Sequence, residues 1–163
     1  MSLARILWIA VLCLAASTAS AQSTRARVVA VTDGDTLMVR TSGKRLIKVR
    51  LAAIDAPETP QPFGKAAKAA LSDLAFGRDV VLSGGRFDRD GNLVAKMQRE
   101  GVDVSLELVR MGLAWWYPMR VNAPSFEERD AYTAAEESAR EAGRRLWSDF
   151  AAEPPWLFRA AQR

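Results

Sequence analysis

Between Arg27 and Leu51 the chain alternates short β-branched runs with tight-turn signals, and this pattern constrains the fold more than any other. Arg27 to Thr32 reads R-V-V-A-V-T and stops at Asp33-Gly34. Thr36 to Arg40 is its hairpin partner, and Thr41-Ser42-Gly43 is a second turn. Arg45 to Leu51 then alternates strictly, with Ile47, Val49 and Leu51 on one face and Lys48 and Arg50 on the other. Three strands joined by turns too short to hold a helix form a meander, and a meander can curl into a small barrel.

After Phe63 the period changes. Phe63, Ala66, Ala67, Ala70, Leu71 and Leu74 recur at helical spacing until Gly77, which predicts a helix over 64–74 that lids one end of the barrel. Two further strands follow, Asp79 to Ser83 and Leu93 to Met97, joined by the charged turn Asp88-Arg89-Asp90-Gly91. Helices are expected at Ser105–Met111 and at Ser125–Ala142, the second opened by a capping box of Ser125 and Glu128. The order predicts an α+β fold: a five-stranded OB-type β-barrel with three α-helices, one between strands 3 and 4 and two C-terminal. OB barrels frequently carry oligonucleotide sites. The domain spans 22–150, and 151–163, with Pro154-Pro155-Trp156, reads as an extended tail.

Residues 1–21 read as a cleaved signal peptide: Arg5 precedes an apolar run from Ile6 to Ala16, and Ala19-Ser20-Ala21 is a small-x-small cleavage site. The run falls short of the ~20 residues that span a bilayer. A secreted or periplasmic monomer without a membrane span after processing is expected. Cys13 leaves with the leader, so the core alone must carry stability. Losing Arg5 lowers the formal charge from +4 to +3, compatible with a polyanionic ligand without requiring one.

The chain has no histidine. Without His or a retained Cys it cannot build an ordinary zinc site, a Ser-His or Cys-His nucleophile, or a paired-histidine acid–base system. Chemistry must rest on carboxylates, Lys, Arg, Tyr and any metal held by oxygen. Such groups concentrate between Asp33 and Thr59. Asp33-Gly34-Asp35-Thr36 is a turn into a strand, Arg50 stands on the polar face of the next strand, and Pro57 stops pairing and leaves Asp55 and Glu58 facing a cleft. This combination suits a hard cation and a phosphate. Asp33 reads as a structural turn residue.

Val31-Thr32-Asp33-Gly34-Asp35-Thr36, Val49-Arg50-Leu51, Ile54-Asp55-Ala56-Pro57-Glu58-Thr59, Gly112-Leu113-Ala114 and Gly143-Arg144-Arg145-Leu146-Trp147 resemble the thermonuclease family, the staphylococcal nuclease-like domains. The resemblance implies an enzyme that hydrolyses phosphodiester bonds of DNA and RNA with one calcium ion (Ca2+). It implies Asp35, Asp55 and the backbone carbonyl of Ala56 as metal ligands, Glu58 as general base, and Arg50 as the phosphate-holding catalytic cation. It also exposes a departure. Active members read Asp-Arg/Lys-Tyr-Gly-Arg where this chain reads Asp88-Arg89-Asp90-Gly91-Asn92, so Asn92 replaces a second phosphate-binding arginine. Reduced activity is expected, since one lost charge-stabilising donor costs roughly 10²–10³-fold in rate. Arg89 is the first candidate to reach in instead. In the Trp115-Trp116-Tyr117 cluster, base stacking competes with packing of a helix on the barrel, and Tyr117 is the candidate substrate contact. The alternative is a catalytically weak or inactive domain that binds nucleic acid or protein through the same surface.

Overall fold

A computed structural model describes residues 23–120 and 124–162; the expected leader, with Cys13, lies outside them. Strands β1 (Thr24–Val31), β2 (Thr36–Thr41) and β3 (Leu46–Leu51) form the meander. Strands β5 (Asp79–Phe87) and β6 (Leu93–Arg99) complete the barrel. The sheet runs β3-β2-β1-β5-β6, and a parallel pairing of β3 with β6 closes it, setting Arg50 opposite Val94. Between them come β4 (Ile54–Asp55) and α1 (Gly64–Ala75). After them come β7 (Val102–Asp103), α2 (Val104–Arg110), β8 (Trp115–Trp116) and α3 (Phe126–Glu141).

Register follows burial. Leu37 pairs with Val49 and Thr36 with Arg50, and Leu37, Val39, Val49 and Leu51 are fully buried. Burying one such side chain stabilises by about 1.5–3 kcal/mol. A slip of one residue would turn these side chains outward and drive Arg50 into the core, so the register is pinned. Helix α1 lays Ala67 and Leu71 of the expected stripe, together with Ala75, on the barrel end, while Phe63, Ala66, Ala70 and Leu74 are partly buried. The capping box at Ser125 forms, and Glu128 also receives the Lys96 ammonium at 2.6 Å, stitching α3 to β6.

Two expectations need correction. The tail is not extended: Pro155–Ala161 forms a helix, α4, so the described residues hold four α-helices rather than three. Pro155 stands at the first helical position, where its fixed φ suits a helix and its missing N–H is no loss. Among the described residues no helix is long and apolar enough to cross a membrane.

Candidate nucleic-acid hydrolysis site

The Asp33 turn is built by hydrogen bonds to its own backbone. Asp33 Oδ1 accepts from the Asp35 N–H at 3.1 Å, while the N–H groups of Thr32 and Asp33 donate to the Thr36 carbonyl. Gly34 is needed for space rather than for an unusual φ: a Cβ there would lie 2.6 Å from that of Ala67 on α1 and 2.8 Å from that of Ala56. The turn is thereby pressed against α1, which forces Asp35 into the barrel mouth at 3 % exposure.

Two carboxylates form the floor. Asp35 Oδ1 accepts from the Thr36 hydroxyl at 2.7 Å, and Oδ2 meets Arg120 Nη1 at 2.5 Å and Arg50 Nε at 3.5 Å. Asp55, in β4, is wholly buried. Its Oδ1 lies 2.9 Å from Arg120 Nη2 and 3.7 Å from Arg50 Nη2. Arg159 of α4 grips Asp55 with both terminal nitrogens, at 3.2 and 2.7 Å. Burial pushes the Asp35 carboxyl up, but the guanidiniums of Arg50 and Arg120 and the Thr36 hydroxyl outweigh it and hold it below the usual carboxylate range. Burial likewise lowers the Arg50 pKa, and the charges of Asp35 and Asp55 more than restore it, so Arg50 stays a cation. Burial and the Asp35 charge push Asp33 up to about 6.

Glu58 hangs from a loop tied at both ends. Its N–H donates to Gln61 Oε1 at 2.9 Å, and its carbonyl accepts from the Gln61 N–H at 2.8 Å. Gly64 allows this closure, since a Cβ there would lie 2.0 Å from the Glu58 carbonyl oxygen. Gln61 Nε2 in turn donates to the Glu153 carbonyl at 2.9 Å, fixing the loop to the segment before α4. Glu58 Oε1 accepts from Arg159 Nη1 at 2.6 Å.

Asp35, Arg50, Asp55 and Glu58 therefore converge through shared arginines, with Ala56 buried beside Asp55. Of the remaining candidates Tyr117 borders them, with the Arg120 guanidinium 5.4 Å from its ring centroid, and the others do not join them. Arg89 is exposed on the β5–β6 turn and makes no ion pair with a described residue. Asn92 is 6 % exposed and folded back on its own turn: its N–H donates to Asp88 Oδ1 at 2.8 Å and its side-chain amide to Oδ2 at 3.0 Å. Trp115 packs edge-on against Trp147 and Trp156, and Trp116 stacks on Tyr132, so these two are packing residues. Tyr117 stays half-buried, stacked on Trp156 at 4.9 Å.

Sequence reasoning missed Arg120 and Arg159. Arg120 ends a 3-10 turn after β8, and Arg159 sits in the tail helix; neither belongs to a motif that would announce it. Among the described residues no three Asp or Glu side chains gather into a cation cage on their own. The floor offers two rigid carboxylates, an all-oxygen donor set that suits a hard cation completed by carbonyl and water. Such a cation would share its oxygens with guanidiniums.

The pattern of the family described as "Staphylococcal nuclease homologue" matches residues 48–149. A Haemophilus influenzae protein named "Uncharacterized endonuclease" is 39 % identical over 133 residues, covering 82 % of this chain and 71 % of the relative. A Shigella flexneri protein named "Micrococcal nuclease" is 35 % identical over 148 residues, covering 85 % of this chain and 82 % of its own.

Proposed function

Because the chain belongs to the staphylococcal nuclease homologue family, we propose that it is an exported calcium-dependent nuclease hydrolysing phosphodiester bonds of DNA and RNA. The observation that carries this reading is the convergence of Asp35, Asp55, Glu58 and Arg50 at one end of the barrel. Asp35, Asp55 and the Ala56 carbonyl would hold the calcium, which when bound supplies Lewis-acid polarisation of a phosphoryl oxygen.

The chain's own residues do the rest. Arg159 engages Glu58 Oε1, so Oε2 is the atom that takes a proton from the attacking water. The water oxygen bonds to phosphorus, the opposite P–O bond breaks, and the leaving alkoxide is protonated from solvent. Arg50 stabilises the charge growing on the phosphoryl oxygens, where a guanidinium fork gives paired contacts that lysine cannot copy. Burial of the floor keeps its dipoles fixed and strengthens each of these interactions. Tyr117 offers an aromatic face to a base once Trp156 yields it.

The test is cleavage of plasmid DNA and of a single-stranded RNA by the protein lacking residues 1–21. Cleavage with calcium and none with chelator supports the reading. An inactive binding domain retains both nucleic acids uncut under either condition. Export is tested separately: mass spectrometry of the exported protein should find an N-terminus near Gln22, and a retained Met1 would contradict the signal peptide.

A further inference from the structure

Arg50 and Arg120 address the same two oxygens. Asp35 Oδ2 lies 3.5 Å from Arg50 Nε and 2.5 Å from Arg120 Nη1. Asp55 Oδ1 lies 3.7 Å from Arg50 Nη2 and 2.9 Å from Arg120 Nη2. Two guanidiniums held side by side repel each other unless an anion lies between them, and here that anion is the carboxylate floor. The two free oxygens of a phosphodiester carry one negative charge and, like carboxylate oxygens, accept paired guanidinium contacts.

Arg120 is also positioned rather than merely nearby. Strand β8 pairs with β4, setting Trp115 opposite Asp55 and Trp116 opposite Ile54. The chain then turns over Tyr117, whose N–H donates to the Ala53 carbonyl at 2.7 Å, and Arg120 comes back across β4. There Nη1 donates to the Ile54 carbonyl at 2.7 Å. The guanidinium stands 5.4 Å from the Tyr117 ring centroid, and its side chain is 11 % exposed. Position 92 offers no such cation, for Asn92 is neutral and spends its amide on Asp88.

We propose that Arg120 supplies the second substrate-directed guanidinium of this site, resting on Asp35 and Asp55 and passing to the substrate phosphate when a divalent cation takes those carboxylates. The inference rests on the nuclease reading above. It makes cation and Arg120 competitors for two oxygens, and Arg120 and Arg50 partners on one phosphate.

The experiment combines calcium calorimetry without nucleic acid and steady-state cleavage of a single-stranded oligonucleotide at saturating calcium. It compares wild type, Arg120→Gln and Arg120→Lys. Removing the competitor should tighten calcium binding in Arg120→Gln by about tenfold, the effect of one modest charge contact. Removing the phosphate contact should lower its turnover by roughly 10²–10³-fold. Arg120→Lys keeps the charge and loses the fork, so both effects should be intermediate. A folded Arg120→Gln protein with turnover within threefold of wild type overturns the inference, and so does calcium affinity that falls. If the glutamine variant does not fold, wild-type turnover in Arg120→Lys overturns it equally. Wild type that never cleaves would defeat the nuclease reading, and the calorimetry would still decide the competition.

Discussion

Two aspartate-led turns stand at the same end of the barrel, and they do different things. Asp33 Oδ1 accepts from the N–H two residues on, and so does Asp88 Oδ1, which takes the Asp90 N–H at 3.0 Å. Both lie within electrostatic reach of Arg50. The first turn is wedged between Ala56 and Ala67 at Gly34 and delivers the buried Asp35. The second is less enclosed: Arg89 and Asp90 are exposed, and a side chain at Gly91 would meet open space. It ends on Asn92, which ties itself to Asp88. Similar turn hydrogen bonding thus gives a buried carboxylate in one place and a self-contained loop in the other. What packs behind a turn decides which.

The largest difference between the two turns is expected at Asp35. Asp35→Ala leaves Arg50 and Arg120 facing each other with half their anionic partner gone, and breaking a buried pair in this way costs about 3–5 kcal/mol. Denaturant melts in chelator should show that loss. Asp88→Ala, on the exposed turn, should lose about 1 kcal/mol by the same measurement, the worth of ordinary hydrogen bonds.

Next in size is Glu58→Gln. The amide keeps the loop and a hydrogen bond to Arg159 but cannot take a proton, so turnover should fall by roughly 10²–10⁴-fold with calcium affinity retained. Near-normal turnover would mean that the water is activated elsewhere.

Asn92→Arg tests the second turn. The resemblance makes position 92 the place of a missing cation, whereas Arg120 already stands on the shared carboxylates. The substitution should therefore leave oligonucleotide turnover within about threefold of wild type while losing about 1 kcal/mol with the Asp88 hydrogen bonds. A tenfold gain would restore position 92 to the site.

The smallest effect is at Asp33. Its folded pKa, about 6, lies above its ordinary 3.8, so the folded state holds the proton more tightly than the unfolded state does. Stability is then fully present below pH ~4 and is lost as pH rises through ~6. Asp33→Asn keeps an oxygen for the Asp35 N–H without the charge. It should be more stable than wild type by about 1 kcal/mol at pH 7.5 and equal to it at pH 4. A variant less stable at both pH values would show that the charge supports the turn.

The barrel was legible because its signals are local. Alternation over Arg45–Leu51, the turn residues at Asp33-Gly34 and the helical spacing after Phe63 each act within a few residues. Asp35, Arg50, Asp55 and Glu58 stand at element ends, where a sequence marks its turns. Arg120 and Arg159 were not legible, for they meet their carboxylates across 85 and 104 residues of chain. Nothing distinguishes either from a surface arginine until β8 pairs with β4 and α4 docks. The helix in the tail is hidden in the sequence for a related reason. Pro154-Pro155 signals an end to structure when read forward from α3, and a helix start when Trp156 stacks on Tyr117 and Arg159 reaches Asp55.

The claim that the buried Asp35–Asp55 floor takes a hard cation is tested most directly by calcium calorimetry on wild type and Asp55→Ala, with circular dichroism to establish that both are folded. Wild type should bind one calcium with a dissociation constant between about 1 mM and 1 µM, as a site of two carboxylates and a carbonyl does, and Asp55→Ala should bind none. Unchanged calcium binding in folded Asp55→Ala would contradict the account.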